Sequence, residues 1–240
     1  MIRTLLMLAF WTLLAPFAAL IGFPWTFISG KIDFLYWLGT RIAFAGVRLA
    51  GIKVSLVGLD RLDPAATYIF MSNHVSNLDP PILVPVIPRR TSVLVKKELF
   101  RVPILGSAMR LASLVPVDRS NRDAAIASLR AAADVLAKGI PMTIFVEGTR
   151  SFDGRLLPFK KGPFYLAMES GAPVVPVSIV GTHYILPKRR FSIRKGEATV
   201  VFHAPLHPKQ FSDRDALLSA VHDSIESALP AEYRSGASGS

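Results

Sequence analysis

Tyr68-Ile69-Phe70-Met71-Ser72-Asn73-His74-Val75-Ser76-Asn77-Leu78-Asp79-Pro80-Pro81 is the stretch on which the fold turns. It opens with five residues of β-forming, mostly apolar character and passes through a polar turn. It then reaches Asp79-Pro80, a pair suited to start a helix, because Asp accepts from free N–H groups at an N-cap and Pro lacks the N–H at the first helical position. The order predicts a strand over Tyr68 to Ser72 and a helix over about Asp79 to Val86, with His74 and Asp79 flanking the connection.

The same grammar repeats outward. Ser92 to Val95, Leu114 to Val117, Met142 to Val146, Val174 to Ile179 and Ala198 to Phe202 are strand-like runs. Helical patterns cover about Arg122 to Lys138, Pro163 to Ser170 and Asp213 to Leu229. Such alternation predicts an α/β fold: a mixed, largely parallel sheet flanked by helices, with sites at the loops that leave strand C-termini. A chain of 240 residues suits one core plus a short appendage.

That appendage is N-terminal. Thr4 to Gly30 contains no charged residue, and about 20 apolar residues suffice to cross a bilayer as a helix. Pro16, Gly22 and Pro24 interrupt the run, which predicts a kinked, re-entrant or half-buried membrane segment more than a straight span. A signal peptide fits only loosely, through Arg3 and Ala18-Ala19. Phe34 to Leu49 has apolar residues at three- and four-residue spacing with Arg41 and Arg48 on another face, the pattern either of an interfacial helix or of a surface helix packed on the core.

Against 17 acidic residues stand 28 lysines and arginines, a net charge of +11, which draws the surface toward anions such as lipid headgroups, phosphorylated substrates or nucleic acid. No cysteine is present, so thiolate nucleophiles, disulfides and thiolate metal sites are excluded.

Three segments carry chemistry. In Asn73 to Asp79 a histidine can take a proton from a hydroxyl while the carboxylate holds its tautomer. Five residues apart on one helix the two side chains would diverge by about 140°, so the pair needs a loop or helix-start geometry. By themselves these residues serve equally as a strand-end polar group and a helix cap. Lys96-Lys97-Glu98-Leu99 and Val115-Pro116-Val117-Asp118-Arg119 leave two other strands and form either an anion pocket or a solvated face. Phe145-Val146-Glu147-Gly148-Thr149-Arg150-Ser151 combines a strand end, a flexible glycine, two hydroxyls and both charge types, a set able to wrap a phosphate or a developing oxyanion. Phe159-Lys160-Lys161-Gly162 either extends that basic rim or is solvated.

Taken in order, His-x4-Asp, Lys-Glu-Leu with Val-Asp-Arg, Glu-Gly-Thr-Arg-Ser and Val174-Val175-Pro176-Val177 resemble the glycerolipid acyltransferase family typified by 1-acyl-sn-glycerol-3-phosphate acyltransferases. The four blocks span roughly Asn73 to Thr182. The resemblance implies that His74 is the general base and Asp79 orients it. It implies that Glu147, Gly148, Thr149 and Arg150 help bind the acceptor, and that Arg119 and Lys97 contact its phosphate. Val146 departs from the proline common at that position. The implied reaction moves a fatty acyl group from acyl-CoA or acyl carrier protein (acyl-ACP) to a lysophospholipid, foremost lysophosphatidic acid, giving phosphatidic acid in phospholipid biosynthesis, with glycerol 3-phosphate or another lyso-lipid as the alternative acceptor. No metal or tightly bound cofactor is implied.

The corresponding organisation is a membrane-associating helical segment over 1–51, an acyltransferase domain over 52–234 and a disordered tail over 235–240. Membrane lipids are the expected partners, with no nucleic acid, at the cytoplasmic face of the inner (plasma) membrane; oligomeric state stays open. Two competitors remain. A lipid hydrolase would direct the same His/Asp pair at water, although the chain has no Gly-x-Ser-x-Gly elbow, and His183, His203 and His207 lack the His-Glu-x-x-His spacing of a metal hydrolase. A non-enzymatic binder would rely on Lys188-Arg189-Arg190 with Arg194-Lys195, but no nucleic-acid module accompanies that patch, which is expected to face membrane or solvent.

Overall fold

A computed structural model describes residues 1–118 and 122–235. Two N-terminal helices, α1 (Ile2–Ser29) and α2 (Asp33–Leu49), pack against each other and lead into a sheet. Its strands are β1 (Ile52–Val57), β2 (Ile69–Ser72), β3 (Ser92–Lys96), β4 (Val115–Val117), β5 (Met142–Phe145), β6 (Val174–Val180) and β7 (Gly196–Phe202). The helices between and after them are α3 (Asp79–Leu83), α4 (Leu105–Leu111), α5 (Arg122–Ala137), α6 (Gly162–Ser170), α7 (Thr182–Ile185) and α8 (Arg214–Ser227).

The spatial order is β1-β7-β6-β2-β5-β3-β4. The five strands from β6 to β4 run parallel; β7 pairs antiparallel with β6 and parallel with β1. The mixed, mostly parallel sheet predicted from the alternation is therefore present. The sequence reading leaves out β1, a half-exposed edge strand (Ile52-Lys53-Val54-Ser55) without a continuous apolar run, and the short helices α4 and α7.

β2 lies at the centre, and all four of its residues are buried. Side chains alternate across a strand, so Phe70 joins the core on one face, with Val47, Ile82, Val175 and Val177 in the same cluster. Ile69 and Met71 join the core on the other, whose cluster includes Ala132, Phe164, Leu217 and Val221 from α5, α6 and α8. Burial on both faces explains why these strands read as apolar runs rather than as alternating patterns. Each large side chain so buried contributes about 1.5–3 kcal/mol.

α1 keeps helical conformation through Pro16 and Pro24 and ends at Gly30, whose φ of 67° favours glycine. Each proline removes one intrahelical bond, while close packing on α2 supports the helix. A Cβ on Gly46 would overlap the Trp11 indole, and one on Gly22 would overlap Leu35, so glycines let the two helices approach. The Trp11 indole N–H donates to Ala43 O at 3.2 Å. The outer side of α1 leaves Leu6, Leu13, Phe17, Leu20, Trp25 and Phe27 exposed. At the other end of the chain Ser235 donates its N–H to Glu226 at 2.6 Å, and residues 236–240 of the expected tail lie outside the described residues.

Candidate active site

Register brings the chemistry together. Ser72 of β2 stands opposite Phe145 of the neighbouring parallel β5, so His74 and Glu147, each two residues beyond, leave the sheet side by side. Lys97 follows β3 on the same edge. The strand C-termini thus converge as expected for a parallel sheet.

His74 and Asp79 form a pair. Nδ1 of His74 lies 2.7 Å from Oδ2 of Asp79, and the same oxygen accepts the backbone N–H of Val75 and of Ser76, each at 2.8 Å. The five-residue spacing works because residues 73–76 leave β2 as an irregular loop, 77–78 turn, and Asp79 is the first residue of α3. Leu78 occupies the N-cap position, and the Asp79 carboxylate serves the preceding loop instead of capping the helix. A carboxylate acceptor at Nδ1 assigns the proton to that nitrogen and leaves the Nε2 lone pair available. Asp79 is fully buried, the His74 side chain is 11% exposed, and the Phe145 ring stacks on the imidazole at 4.2 Å between centroids.

The loop that carries His74 is tied down on three sides. The Asn73 amide donates to Ile179 O at 3.0 Å and accepts from Ile179 N–H at 2.8 Å, completing a sheet-like pairing with β6. The Ser76 hydroxyl donates to Leu186 O at 2.8 Å, and the Ser151 N–H donates to His74 O at 2.9 Å. Sequence reasoning gives Asn73 and Ser76 no role as supports and expects Ser151 to offer its hydroxyl to a phosphate or oxyanion, whereas here its backbone N–H holds the His74 loop. A short polar side chain directly before the histidine is their sole sequence trace.

Glu147 is buried beside this loop. One carboxylate oxygen accepts the His74 N–H at 2.6 Å and the other the Leu157 N–H at 3.0 Å. Burial pushes its carboxyl up to about 8; the negative charge of Asp79 adds to the rise, while the two N–H groups and the Lys188 ammonium oppose it. In this structure both oxygens are engaged with backbone, so the carboxyl braces the His74 loop against the segment before α6. Gly148 has φ 70° and packs against the Lys160 side chain. Thr149 is exposed and Arg150 half-buried, and the Arg150 carbonyl accepts from Lys188 Nζ at 2.6 Å. Lys97 is exposed and ion-paired with Asp118 at the neighbouring strand end. Arg119, expected beside it, lies outside the described residues. His203 shares a hydrogen bond with Ser178 Oγ at 2.9 Å, and burial lowers the pKa of both His203 and His183.

The arrangement therefore holds an imidazole by its Nδ1, with Nε2 left for a substrate hydroxyl, at the mouth of the parallel strands, backed by the buried Asp79 side chain. The chain as a whole is similar to known proteins. A family model described as Acyltransferase matches residues 53–180. The 1-acyl-sn-glycerol-3-phosphate acyltransferase of Limnanthes alba is 36% identical over 214 residues, 88% of this chain and 75% of that one. The human 1-acyl-sn-glycerol-3-phosphate acyltransferase alpha is 32% identical over 180 residues, 74% of this chain and 64% of that one. The crystal structure of the 1-acyl-sn-glycerophosphate (LPA) acyltransferase PlsC from Thermotoga maritima superposes with a TM-score of 0.81 at 27% identity, covering 93% of this chain and 92% of that one. With the His74/Asp79 pair inside the matched region and the same sheet around it, this chain belongs to the Acyltransferase family.

Proposed function

We propose that the protein transfers a fatty acyl group from a thioester to the free hydroxyl of 1-acyl-sn-glycerol 3-phosphate, forming phosphatidic acid. The observation that carries this is the His74 Nδ1–Asp79 Oδ2 contact of 2.7 Å at the C-terminal end of β2. Nε2 takes the proton of the acceptor hydroxyl as its oxygen attacks the thioester carbonyl. The tetrahedral intermediate then collapses, the C–S bond breaks, and the imidazolium returns the proton to the departing thiolate. Asp79 stabilises the imidazolium between these steps. A base so placed is worth about 10² to 10⁴ in rate.

Acyl-CoA and acyl-ACP are both chemically suitable donors. Lys97 and Arg119, which follow adjacent strands, together with Arg150 supply cations for the acceptor phosphate, and Gly148 and Thr149 shape the turn around it. Glu147 contributes by fixing the backbone of His74. The enzyme works at a membrane, where acceptor and product reside. α1, at 28 residues, is about 42 Å long against a hydrocarbon core of about 30 Å, and presents an exposed apolar side. The cytoplasmic leaflet of the inner membrane supplies the anionic lipid to which a +11 chain is attracted.

The test is release of free coenzyme A from acyl-CoA by purified protein in lipid or detergent, with and without lysophosphatidic acid, alongside His74→Ala. Acceptor-dependent release that falls by about 10² to 10⁴ in the variant is expected. Equal release without acceptor would replace acyl transfer with thioester hydrolysis.

A further inference from the structure

The basic run at 188–195 has no part in the proton transfer above, yet it is built in an unusual way. It connects α7 to β7 and carries Lys188, Arg189, Arg190, Phe191, Arg194 and Lys195. Phe191 is 79% exposed, and Arg189, Arg190, Arg194 and Lys195 are exposed as well. Among the described residues no acidic side chain pairs with these four cations. Two of them lie over aromatic rings instead, Arg189 at 5.8 Å from the Phe152 centroid and Arg194 at 5.2 Å from that of Tyr184. Phe152 and Tyr184 are themselves mostly exposed.

The run is also fastened to α1. Thr4 Oγ1 donates to Phe191 O at 2.6 Å and accepts the Ile193 N–H at 2.9 Å, while Ile193 is buried. Leu5 and Leu6, next to Thr4, are exposed, so the apolar side of α1 continues into the loop. On the other side Lys188 reaches the Arg150 carbonyl beside the active site. An exposed apolar ring among unpaired cations, continuous with an exposed apolar helix, matches the interface of an anionic bilayer: the ring enters the headgroup layer and the cations meet phosphates.

We infer that the 188–195 loop is a second membrane contact, one that recognises anionic phospholipid headgroups and sets the active site against the leaflet from which the lipid acceptor enters. It rests on the membrane association proposed above. α1 supplies apolar insertion, and the loop supplies preference for negative charge. Each basic residue near an anionic surface adds roughly five-fold to partition, so removing three should reduce the anionic-over-neutral preference on the order of 100-fold.

The absence of cysteine allows a clean test. Phe191→Cys, Leu13→Cys and Glu169→Cys, each in the full chain, take a single environment-sensitive fluorophore. The proteins are then mixed with vesicles rich in phosphatidylglycerol or made of phosphatidylcholine, with shallow lipid-borne quenchers. Glu169 is exposed on α6, on the opposite face of the sheet from α1. The expected result is an emission shift and quenching at 191 on anionic vesicles, a weaker response on neutral ones, and none at 169. In Arg189→Gln/Arg190→Gln/Arg194→Gln the anionic preference should fall by the factor above. If the label at 13 inserts while that at 191 stays water-like on both vesicles, the loop inference is wrong and membrane association stands. If neither label responds, both are wrong. A response at 191 to acyl-CoA without vesicles would reassign the loop to donor binding and overturn the inference.

Discussion

Asp79→Asn separates the charge of the Asp79 carboxylate from its geometry. Only Oδ2 is hydrogen-bonded: it meets His74 Nδ1 and the N–H groups of Val75 and Ser76, whereas buried Oδ1 has no partner among the described residues. An asparagine whose carbonyl takes the Oδ2 position keeps all three contacts and the Nδ1–H tautomer. What it loses is the negative charge that stabilises the imidazolium. A hydrogen bond to a charged group is worth about 1.5–3 kcal/mol, which corresponds to a fall in kcat of roughly 10- to 150-fold, smaller than the loss expected for His74→Ala. The amide NH2, placed where Oδ1 was, is buried without an acceptor and costs about 1–3 kcal/mol of stability, or roughly 2–12 °C in Tm for a domain of this size. Coenzyme A release at saturating acceptor gives kcat, and thermal unfolding gives Tm. A kcat loss equal to that of His74→Ala would refute this reasoning, since it would mean that the amide presents NH2 to Nδ1 and forces the other tautomer. Unchanged kcat would refute the role of the charge.

Glu147 and Asn73 give further tests. The folded protein keeps a proton on Glu147 from its ordinary value of 4.5 up to about 8, where the unfolded chain has lost it. The unfolded state then binds fewer protons, and stability falls as pH rises through that window by up to a few kcal/mol. Glu147→Gln lacks this slope but leaves either the His74 or the Leu157 N–H facing an NH2, costing about 1–3 kcal/mol. It should therefore be clearly less stable than the parent near pH 5 and close the gap toward pH 8; parallel unfolding curves across that range would sink the assignment. Asn73→Ala strips the Ile179 N–H and C=O of buried partners, which should cost roughly 2–4 kcal/mol and lower kcat more than it raises KM. Wild-type stability in this variant would show that water replaces the amide.

Local grammar was enough to find the layers. Met142 to Val146 and Val174 to Ile179 read as strands because both of their faces are buried, and the observed β5 and β6 match to within a residue. The same logic passed over β1, whose edge position gives it no continuous apolar signature. The N-terminal run reads as a kinked, re-entrant or half-buried segment because Pro16, Gly22 and Pro24 punctuate it; the fold shows one helix from Ile2 to Ser29, and only the packing shows that Gly22 and Gly46 let it approach α2 closely.

The closeness of His74 and Asp79 follows from the sequence, since five residues in one strand-to-helix connection keep a histidine and a carboxylate near each other in space, and the family resemblance is what marks them as the candidate pair. Tertiary structure decided what holds them. Asn73 finds Ile179 across 106 positions, and Glu147 braces His74 across 73. These contacts depend on β2 lying between β5 and β6, and strand order is set by how the helices cover the two faces of the sheet, which the local pattern of a single segment does not encode.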